Sequence, residues 1–469
     1  MDAAVNSTVA AVASNATDQT TNVDLSYRVR ATFYALSLDE TFIEHPKNVP
    51  NIVLETVPIM VIMTLLELIV LRSRGMGDRF RLHNAAINFA TGVLNEAARV
   101  FIFRGAEFAA YIWVYNNLRI TELSWNSPWT YFFAILSVDF CNYWWHRCCH
   151  ELSFMWAAHY VHHSSEDLNA SVGARISVTM RPFKWMYFIP LAVVGLPPST
   201  FLVHSQLGFV WAFWVHNEAW PKTQKIIPVF GHIIEFVMST PSHHRVHHAV
   251  NKYCIDKNYG TTLIIWDRLF GTFVEEREDE ELTYGTISQK DNNHIVGLQA
   301  DPWRDLWGRI CSVDSLFDKI KTIFYGPGWV KGKPRLGDLD DLPERIVRKK
   351  HQYDAPWWIN LYLSLHCLFV LIMYFDAGGR VVHLSQAVRL ISLVYIFVSY
   401  AGLGGLYTTH LGSMWIEPVR LLVSVPMFLL LPIFASERLA MAMTTINLLS
   451  LLLWPALRSQ VLSQGKKVE

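Results

Sequence analysis

The chain has 469 residues, of which 52% are hydrophobic and only 17% are charged, and its mean hydropathy is +0.21. Soluble domains carry roughly 25% charged residues, so the composition excludes an ordinary soluble protein and indicates a membrane protein with several spans. The formal net charge is zero, which excludes nucleic-acid binding through bulk positive charge.

The N-terminal tail, residues 1–50, is polar and begins without the apolar core of a cleaved signal peptide. Two N-glycosylation sequons start at Asn6 and Asn15. Such sites are usable only on the lumenal side of a membrane. We therefore expect the tail to be lumenal.

Seven apolar stretches are long enough to be candidate membrane spans, each of which needs about 20 apolar residues. They lie at about 52–71, 86–115, 128–145, 357–375, 388–406, 414–435 and 439–457. Residues 185–217 are also apolar, but Pro190, Gly195, Pro197 and Pro198 break them. These breaks predict a helical hairpin that returns to the side it entered from. The predicted fold is all-α and polytopic, with about seven to nine transmembrane helices.

The orientation follows from charge and parity. Four arginines follow the first span: Arg72, Arg74, Arg79 and Arg81. Basic residues favour the cytosolic side of a membrane, which places the end of the first span in the cytosol and the N-terminus in the lumen. With this orientation, the predicted spans leave the C-terminus and the three histidine clusters described below in the cytosol. The chain ends in Lys-Lys-Val-Glu, residues 466–469, which fits an address for retrieval to the endoplasmic reticulum that is read in the cytosol.

The predicted organisation has five parts. They are a lumenal tail (1–50), N-terminal transmembrane helices (51–127), a histidine-box domain (128–285), a cytosolic polar segment (286–355) and a C-terminal block of four transmembrane helices (356–469).

Eight of the 19 histidines form three short clusters: His146 and His150; His159, His162 and His163; and His244, His247 and His248. Spacings of three and four residues place each cluster on one face of a helix. Neutral imidazole is the commonest metal ligand near pH 7, and burying so many unpartnered rings costs roughly a few kcal/mol each. Eight imidazoles exceed the needs of one ion, so the pattern predicts two metal ions.

The number of histidines also helps to identify the metal. Imidazole suits zinc, copper, iron and nickel, but structural zinc takes four ligands, mostly cysteine, and catalytic zinc takes three. Two iron ions with open positions for oxygen fit the count better. The six cysteines show no paired spacing and are expected to be reduced thiols. A metal transporter or sensor is the alternative class, but its ligands should follow a transmembrane route rather than share one face.

The histidines stand within a longer pattern. Asp139, Tyr143 and Trp144 precede the first cluster, His216-Asn217 follows the hairpin, and Asn258-Tyr259-Gly260 and the run 266–272 follow the third cluster. With these residues, about 130–275 resembles the membrane fatty acid hydroxylase/sterol desaturase superfamily. The resemblance implies two non-haem irons held by the eight histidines, with molecular oxygen as co-substrate.

The resemblance also implies a further histidine ligand between or beside the second and third clusters. His216, His232 and His243 are the candidates, and His216 ranks first, whereas His204 is expected to be a polar residue of the hairpin. Glu151 and Asp139 are predicted catalytic-site carboxylates that orient an imidazole or adjust the charge at the iron.

Two features of the sequence reduce the number of reactions that the chain is expected to catalyse. His45-Pro46-Lys47-Asn48 departs from the His-Pro-Gly-Gly of fused haem domains, and there is no Gly-rich dinucleotide motif, so electrons must come from a separate donor. The block after Pro356 is similar to the tetrahydrobiopterin-dependent branch of the superfamily, which cleaves ether lipids. That similarity implies tetrahydrobiopterin as cofactor and an alkylglycerol substrate drawn from membrane lipid.

The reaction implied is hydroxylation of the ether-linked alkyl carbon, giving a hemiacetal that collapses to a fatty aldehyde and a glycerol derivative. A pterin-recycling reductase need not form a stable complex with the chain. No sequence signature locates the pterin. The alternative within the superfamily is a sterol or sphingolipid hydroxylase or desaturase that is fed by a separate haem protein.

Overall fold

The computed structural model describes residues 23–103, 105–289, 294–343, 346, 350, 356–408 and 415–468. Within these ranges the secondary structure is helical, and the β-pairing is limited to two isolated bridges, Met238–Leu263 and Ala249–Tyr284. The prediction of an all-α fold is therefore confirmed. Both sequons, at Asn6 and Asn15, lie outside the described residues.

The helices of eight residues or more are labelled here in chain order. They are α1 Leu25–Thr32, α2 Ile52–Ser73, α3 Leu82–Ala98, α4 Ala106–Leu118, α5 Pro128–Glu151, α6 Ser153–His163, α7 Pro198–Val215, α8 Pro228–Val237, α9 Pro241–His248, α10 Ile295–Cys311, α11 Leu316–Phe324, α12 Trp357–Gly379, α13 Gln386–Thr408, α14 Ile416–Leu430 and α15 Glu437–Val468. Shorter helices are Leu38–Thr41, Arg181–Lys184, Ile189–Val194, Thr223–Ile226 and Ile265–Phe270.

Four helical segments of the described chain are long and apolar enough to cross a membrane: Pro46–Ser73, which contains α2, Trp357–Gly379, Gln386–Leu406 and Glu437–Gln460. Each coincides with one of the predicted stretches, so the chain is a multi-pass membrane protein. The other stretches are also helical but differ in form. The stretch at 128–145 lies within α5, and that at 414–435 contains the 15-residue α14.

The apolar stretch predicted at 86–115 is not one continuous helix. It is divided between α3 and α4, and the π-helical turn Arg99–Phe103 follows α3 directly. One face of α3 is polar and buried, because Asn84 donates to Ser165 Oγ (2.9 Å) and Asn88 donates to Ser171 Oγ (2.8 Å). These bonds tie α3 to the segment that follows the second histidine cluster.

The opposite face of α3 is apolar and packs against the C-terminal block. Ala90 and Leu94 share a buried cluster with Val370 and Met373 of α12 and Ile396 of α13. Helix α3 therefore packs between two parts of the protein. It supports the histidine domain on one side and the C-terminal helices on the other.

The breaks predicted within 185–217 divide this stretch into two helical parts. Ile189–Val194 ends at Gly195, and α7 begins at Pro198. Gly195 has a φ of +96°, and a Cβ on it would lie 2.1 Å from the carbonyl oxygen of Thr121. Only glycine fits this reversal, which delivers the chain to His216 at the end of α7.

A buried ion pair joins the C-terminal helices. Arg420 and Glu417, both on α14, pair through Nη2 and Oε1 at 2.6 Å, and both are almost fully buried. Arg420 also reaches the Tyr395 hydroxyl on α13 (3.1 Å) and Nδ1 of His366 on α12 (3.1 Å). Tyr362 of α12 donates to Glu417. The pair therefore connects three of the four helices of the block.

Candidate metal centre

The three histidine clusters lie at the C-terminal ends of three helices that meet in the interior. His146 and His150 end α5, His159 to His163 end α6, and His244 to His248 end α9. His216 caps the C-terminus of α7. All nine rings are buried. Each cluster lies within a helix, as its spacing predicted.

The nine imidazoles form two adjacent groups. In each group one ring nitrogen per histidine lies within 4.8 Å of the others. The first group is His146, His150, His159, His163 and His247, and the second is His162, His216, His244 and His248. The groups abut, since the stacked rings of His163 and His248 have centroids 4.4 Å apart.

The other histidines considered in the sequence lie elsewhere. His232 is exposed on α8. His243 is buried, but its Nδ1 accepts from the backbone N–H of Thr240 (3.3 Å) and caps α9. His204 pairs with the hydroxyl of Tyr34 (2.8 Å) in the hairpin helix. Of the three candidates for a ninth ligand, the structure brings His216 to the cluster.

Backbone carbonyls fix which nitrogen of several rings carries the proton. The Nδ1 atom of His146 donates to the carbonyl of Tyr259 (2.8 Å), and that of His247 donates to Lys257 (3.0 Å). His162 donates to Arg175 (3.1 Å) in the same way. A carbonyl only accepts, so Nδ1 is protonated and the Nε2 lone pair points inward. This is the usual support of a metal-binding imidazole.

The inward nitrogens face one another at short range. In the second group, Nε2 of His216 lies 2.9 Å from Nε2 of His244 and 3.2 Å from Nε2 of His162. His162 and His216 donate through Nδ1 to carbonyls, at 3.1 and 2.6 Å, so their two Nε2 lone pairs confront each other. A cation between them would turn this repulsion into ligation.

The first group shows the same need for a cation. Nε2 of His150 and Nε2 of His247 are buried and have no hydrogen-bond partner within the part of the chain that the structure describes. The Nδ1 of His150 faces Asp256 Oδ1 at 3.5 Å, which leaves Nε2 as the inward atom. Burial also lowers the pKa of His162, in the second group, to about 3 and holds the pKa of His163 well below its usual range, so both rings are neutral and could bind a metal. The residues present therefore fit two metal ions.

The region that holds this site matches a known family. Residues 131–272 match the family model described as fatty acid hydroxylase. Over most of its length the chain is also similar to enzymes named alkylglycerol monooxygenase. The protein from Xenopus tropicalis is 36% identical over 403 residues, covering 86% of this chain and 87% of the relative.

The Homo sapiens protein is 36% identical over 415 residues, covering 87% of this chain and 89% of the relative. The Danio rerio protein is 34% identical over 401 residues, covering 85% and 87%. The chain belongs to the alkylglycerol monooxygenase family. It is therefore an enzyme, an oxidoreductase with a fatty acid hydroxylase domain. No solved structure matches the chain.

In this member of the alkylglycerol monooxygenase family, a buried carboxylate supports His146 through the backbone. Asp267 accepts from the N–H groups of Tyr259 (2.8 Å) and Gly260 (2.6 Å), and the hydroxyl of Thr272 donates to it at 2.7 Å. Burial raises the pKa of Asp267 to about 6, against the pull of these three bonds. Asp267 thus fixes the Tyr259 carbonyl that orients His146. From the sequence, Asp267 was recognisable only as part of the family pattern.

Arg175 has a comparable part in the second group. Its side chain is fully buried, and it donates to the carbonyl of Val161 (2.8 Å), to Ser164 Oγ (2.8 Å) and to Asn88 Oδ1 (2.9 Å). Its own carbonyl orients His162. This role of Arg175 was not predicted from the sequence. The available signal was an arginine within a run of small and apolar residues, 170–178.

The two predicted carboxylates, Glu151 and Asp139, both lie on α5 and bond to residues other than the clustered histidines. Both Glu151 oxygens pair with arginines, Oε1 with Arg147 (2.7 Å) and Oε2 with Arg335 (2.8 Å). Asp139 accepts from the backbone N–H groups of Thr262 and Leu263, each at 3.0 Å. These contacts anchor the end of α5 and the loop after Gly260.

Proposed function

We propose that the chain is a tetrahydrobiopterin-dependent di-iron monooxygenase that hydroxylates the ether-linked alkyl carbon of alkylglycerols. The hemiacetal formed collapses to a fatty aldehyde and a glycerol derivative. The observation that carries the proposal is the pair of abutting imidazole groups, five rings and four, in a chain whose relatives are alkylglycerol monooxygenases. The requirement for tetrahydrobiopterin is inferred from the family resemblance of the sequence alone.

In this proposal the first group of histidines holds one iron and the second group holds the other. Two irons there would supply the activation of molecular oxygen. The chain's own residues present neutral Nε2 atoms, hold them by backbone carbonyls, and exclude bulk water by burying all nine rings. Glu151 and Asp139 act as positioning residues, because their oxygens bond to arginines and to backbone N–H groups.

The proposed setting is the membrane of the endoplasmic reticulum, with the histidine domain and the C-terminus in the cytosol. The two sequons of the polar N-terminal tail and the arginines after α2 support this orientation. An alkylglycerol has an apolar tail and a polar head, so it suits a site at the membrane surface.

Metal analysis and turnover of the purified full chain test the function. We expect about two irons per chain, the number that two separate imidazole groups would hold. Adding tetrahydrobiopterin, oxygen and an alkylglycerol should release fatty aldehyde. Turnover of a sterol or sphingolipid with a haem-protein donor, without aldehyde from the alkylglycerol, would overturn the proposal and favour the other superfamily chemistry.

A further inference from the structure

Helix α11 has its amphipathic pattern reversed. Its two buried residues, Asp318 and Thr322, are polar, whereas Phe317, which is 64% exposed, and Phe324 point outward with other apolar residues. Asp318 is satisfied there by Lys331, at 2.9 Å. A surface helix in water buries its apolar stripe. The outward face of α11 is therefore built for a non-aqueous neighbour.

Helix α8 shows the same reversal. Gly231 and Glu235 are its buried residues, while Phe230 is 67% exposed and Ile233 and Phe236 are also exposed. Glu235 accepts from the backbone N–H of Thr223 at 2.5 Å. A Cβ on Gly231 would lie 2.5 Å from Gln224 Cα, so the inner face of α8 is in close contact with the preceding turn.

The apolar surface of α8 continues onto the helix Ile265–Phe270. Arg268 donates to the carbonyls of Phe236 (3.1 Å) and Glu235 (3.3 Å), and so caps the C-terminus of α8. Its guanidinium also lies over the ring of Phe236, 4.6 Å from the centroid. The neighbouring Leu269 is 69% exposed. A contiguous apolar patch of this kind marks an interaction surface.

The position of α8 relates this surface to a membrane boundary. At the end of the span α2, Arg74 donates to the carbonyl of Ala219 (2.9 Å), and Arg79 pairs with Glu218. Helix α8 begins nine residues after Ala219, at Pro228. It has 10 residues and α11 has nine. At 1.5 Å per residue they reach at most about 15 Å, half of a hydrocarbon core of about 30 Å.

We propose that α8 and α11 lie in the plane of the membrane surface where α2 ends, with their outward faces inserted among the phospholipid acyl chains. Helices too short to span, with an apolar face on one side and lysines at the flank, bind membranes in this way. Lys321 of α11 lies over the Phe317 ring at 4.4 Å, and Lys225 lies just before α8. Lys321 can meet phosphate headgroups, whereas Lys225 pairs with Glu278 at 2.7 Å.

The two helices connect the membrane surface to the histidine helices. The segment 238–240 joins α8 directly to α9. The carbonyl of Tyr325, which follows α11, accepts from the backbone N–H of Ser153 (2.8 Å) at the start of α6. Lipid insertion of α8 and α11 therefore holds α9 and α6, and with them both imidazole groups, at a fixed depth from the lipid.

Photo-crosslinking in the full chain tests the proposal without measuring turnover, so it can fail independently of the proposed function. The photoreactive residue p-benzoylphenylalanine replaces Phe230 or Phe317 in protein reconstituted into phosphatidylcholine–phosphatidylserine nanodiscs. Because both side chains are exposed, the replacements should leave folding intact. Irradiation should give chain–phospholipid adducts, detected by mass spectrometry, at both positions.

The matched control places the same probe at Asp340, whose side chain is 90% exposed on a polar turn. It should give no lipid adduct above background. A chain–chain adduct at Phe230 or Phe317 would overturn the proposal, since a second copy would then cover the face. Absence of lipid adducts at either helix, or equal adduct yield at Asp340, would also overturn it.

Discussion

The Nε2 atoms of His216 and His244 lie 2.9 Å apart in the protein interior, although 28 positions separate the residues in sequence. His216 comes from the end of the hairpin helix α7, outside the three histidine clusters, and it completes the second imidazole group. Without it that group would hold three rings.

Replacing His216 by alanine tests this relationship. We expect His216→Ala to lose about one of the two irons per chain and to abolish turnover, because one group loses a ligand that the fold cannot replace. Metal analysis and aldehyde release measure the two effects. His232→Ala is the matched control, since His232 is exposed on α8, and it should keep both. Full iron content in His216→Ala would contradict the assignment.

Asp267→Asn tests the support of His146 through the backbone. The substitution keeps the shape of the side chain but weakens its bonds to the Tyr259 and Gly260 N–H groups. Changes to such supporting groups typically cost about 10–100-fold in metal affinity, and we expect a loss in that range with the chain still folded. Iron titration followed by a chelator gives the affinity. Thr272→Val removes one bond to Asp267 and should have a smaller effect, so an equal or larger one would be inconsistent.

The ion pair between Glu417 and Arg420 makes a stability prediction. Arg420→Met leaves a buried carboxylate uncompensated, which should lower the free energy of unfolding by about 3–5 kcal/mol. The double variant Glu417→Gln with Arg420→Met removes both charges and should recover most of the loss. Thermal unfolding in detergent compares the two. If the single and double variants were equally destabilised, the charge imbalance would not be the cause.

The orientation makes a prediction about glycosylation. If the tail is lumenal, glycans on Asn6 or Asn15 should be removable by an endoglycosidase, and the Asn6→Gln/Asn15→Gln variant should show the deglycosylated mobility before treatment. In intact microsomes, a tag placed before the final Lys-Lys-Val-Glu should be digested by added protease. A protected tag would reverse the topology.

Local sequence was sufficient to predict much of this protein. Periodicity is a short-range property, so spacings of three and four residues placed each histidine cluster on one helix face. Composition and apolar length indicated an all-α membrane protein, and four of the predicted stretches are helices long and apolar enough to span. Gly195 and Pro198 also marked the break before α7, because glycine alone readily adopts a positive φ and proline favours the first turn of a helix.

Other features depended on contacts between distant segments. The clusters do not correspond to metal groups, since His162 and His163 are adjacent in sequence but belong to different groups, as do His247 and His248. Adjacent residues on a helix point about 100° apart, and only the crossing of α5, α6, α7 and α9 decides which rings meet. Tertiary structure likewise decided the buried partners of α3, the position of His216 and the supporting roles of Arg175 and Asp267. A hydrogen bond between distant segments leaves no local pattern in the sequence.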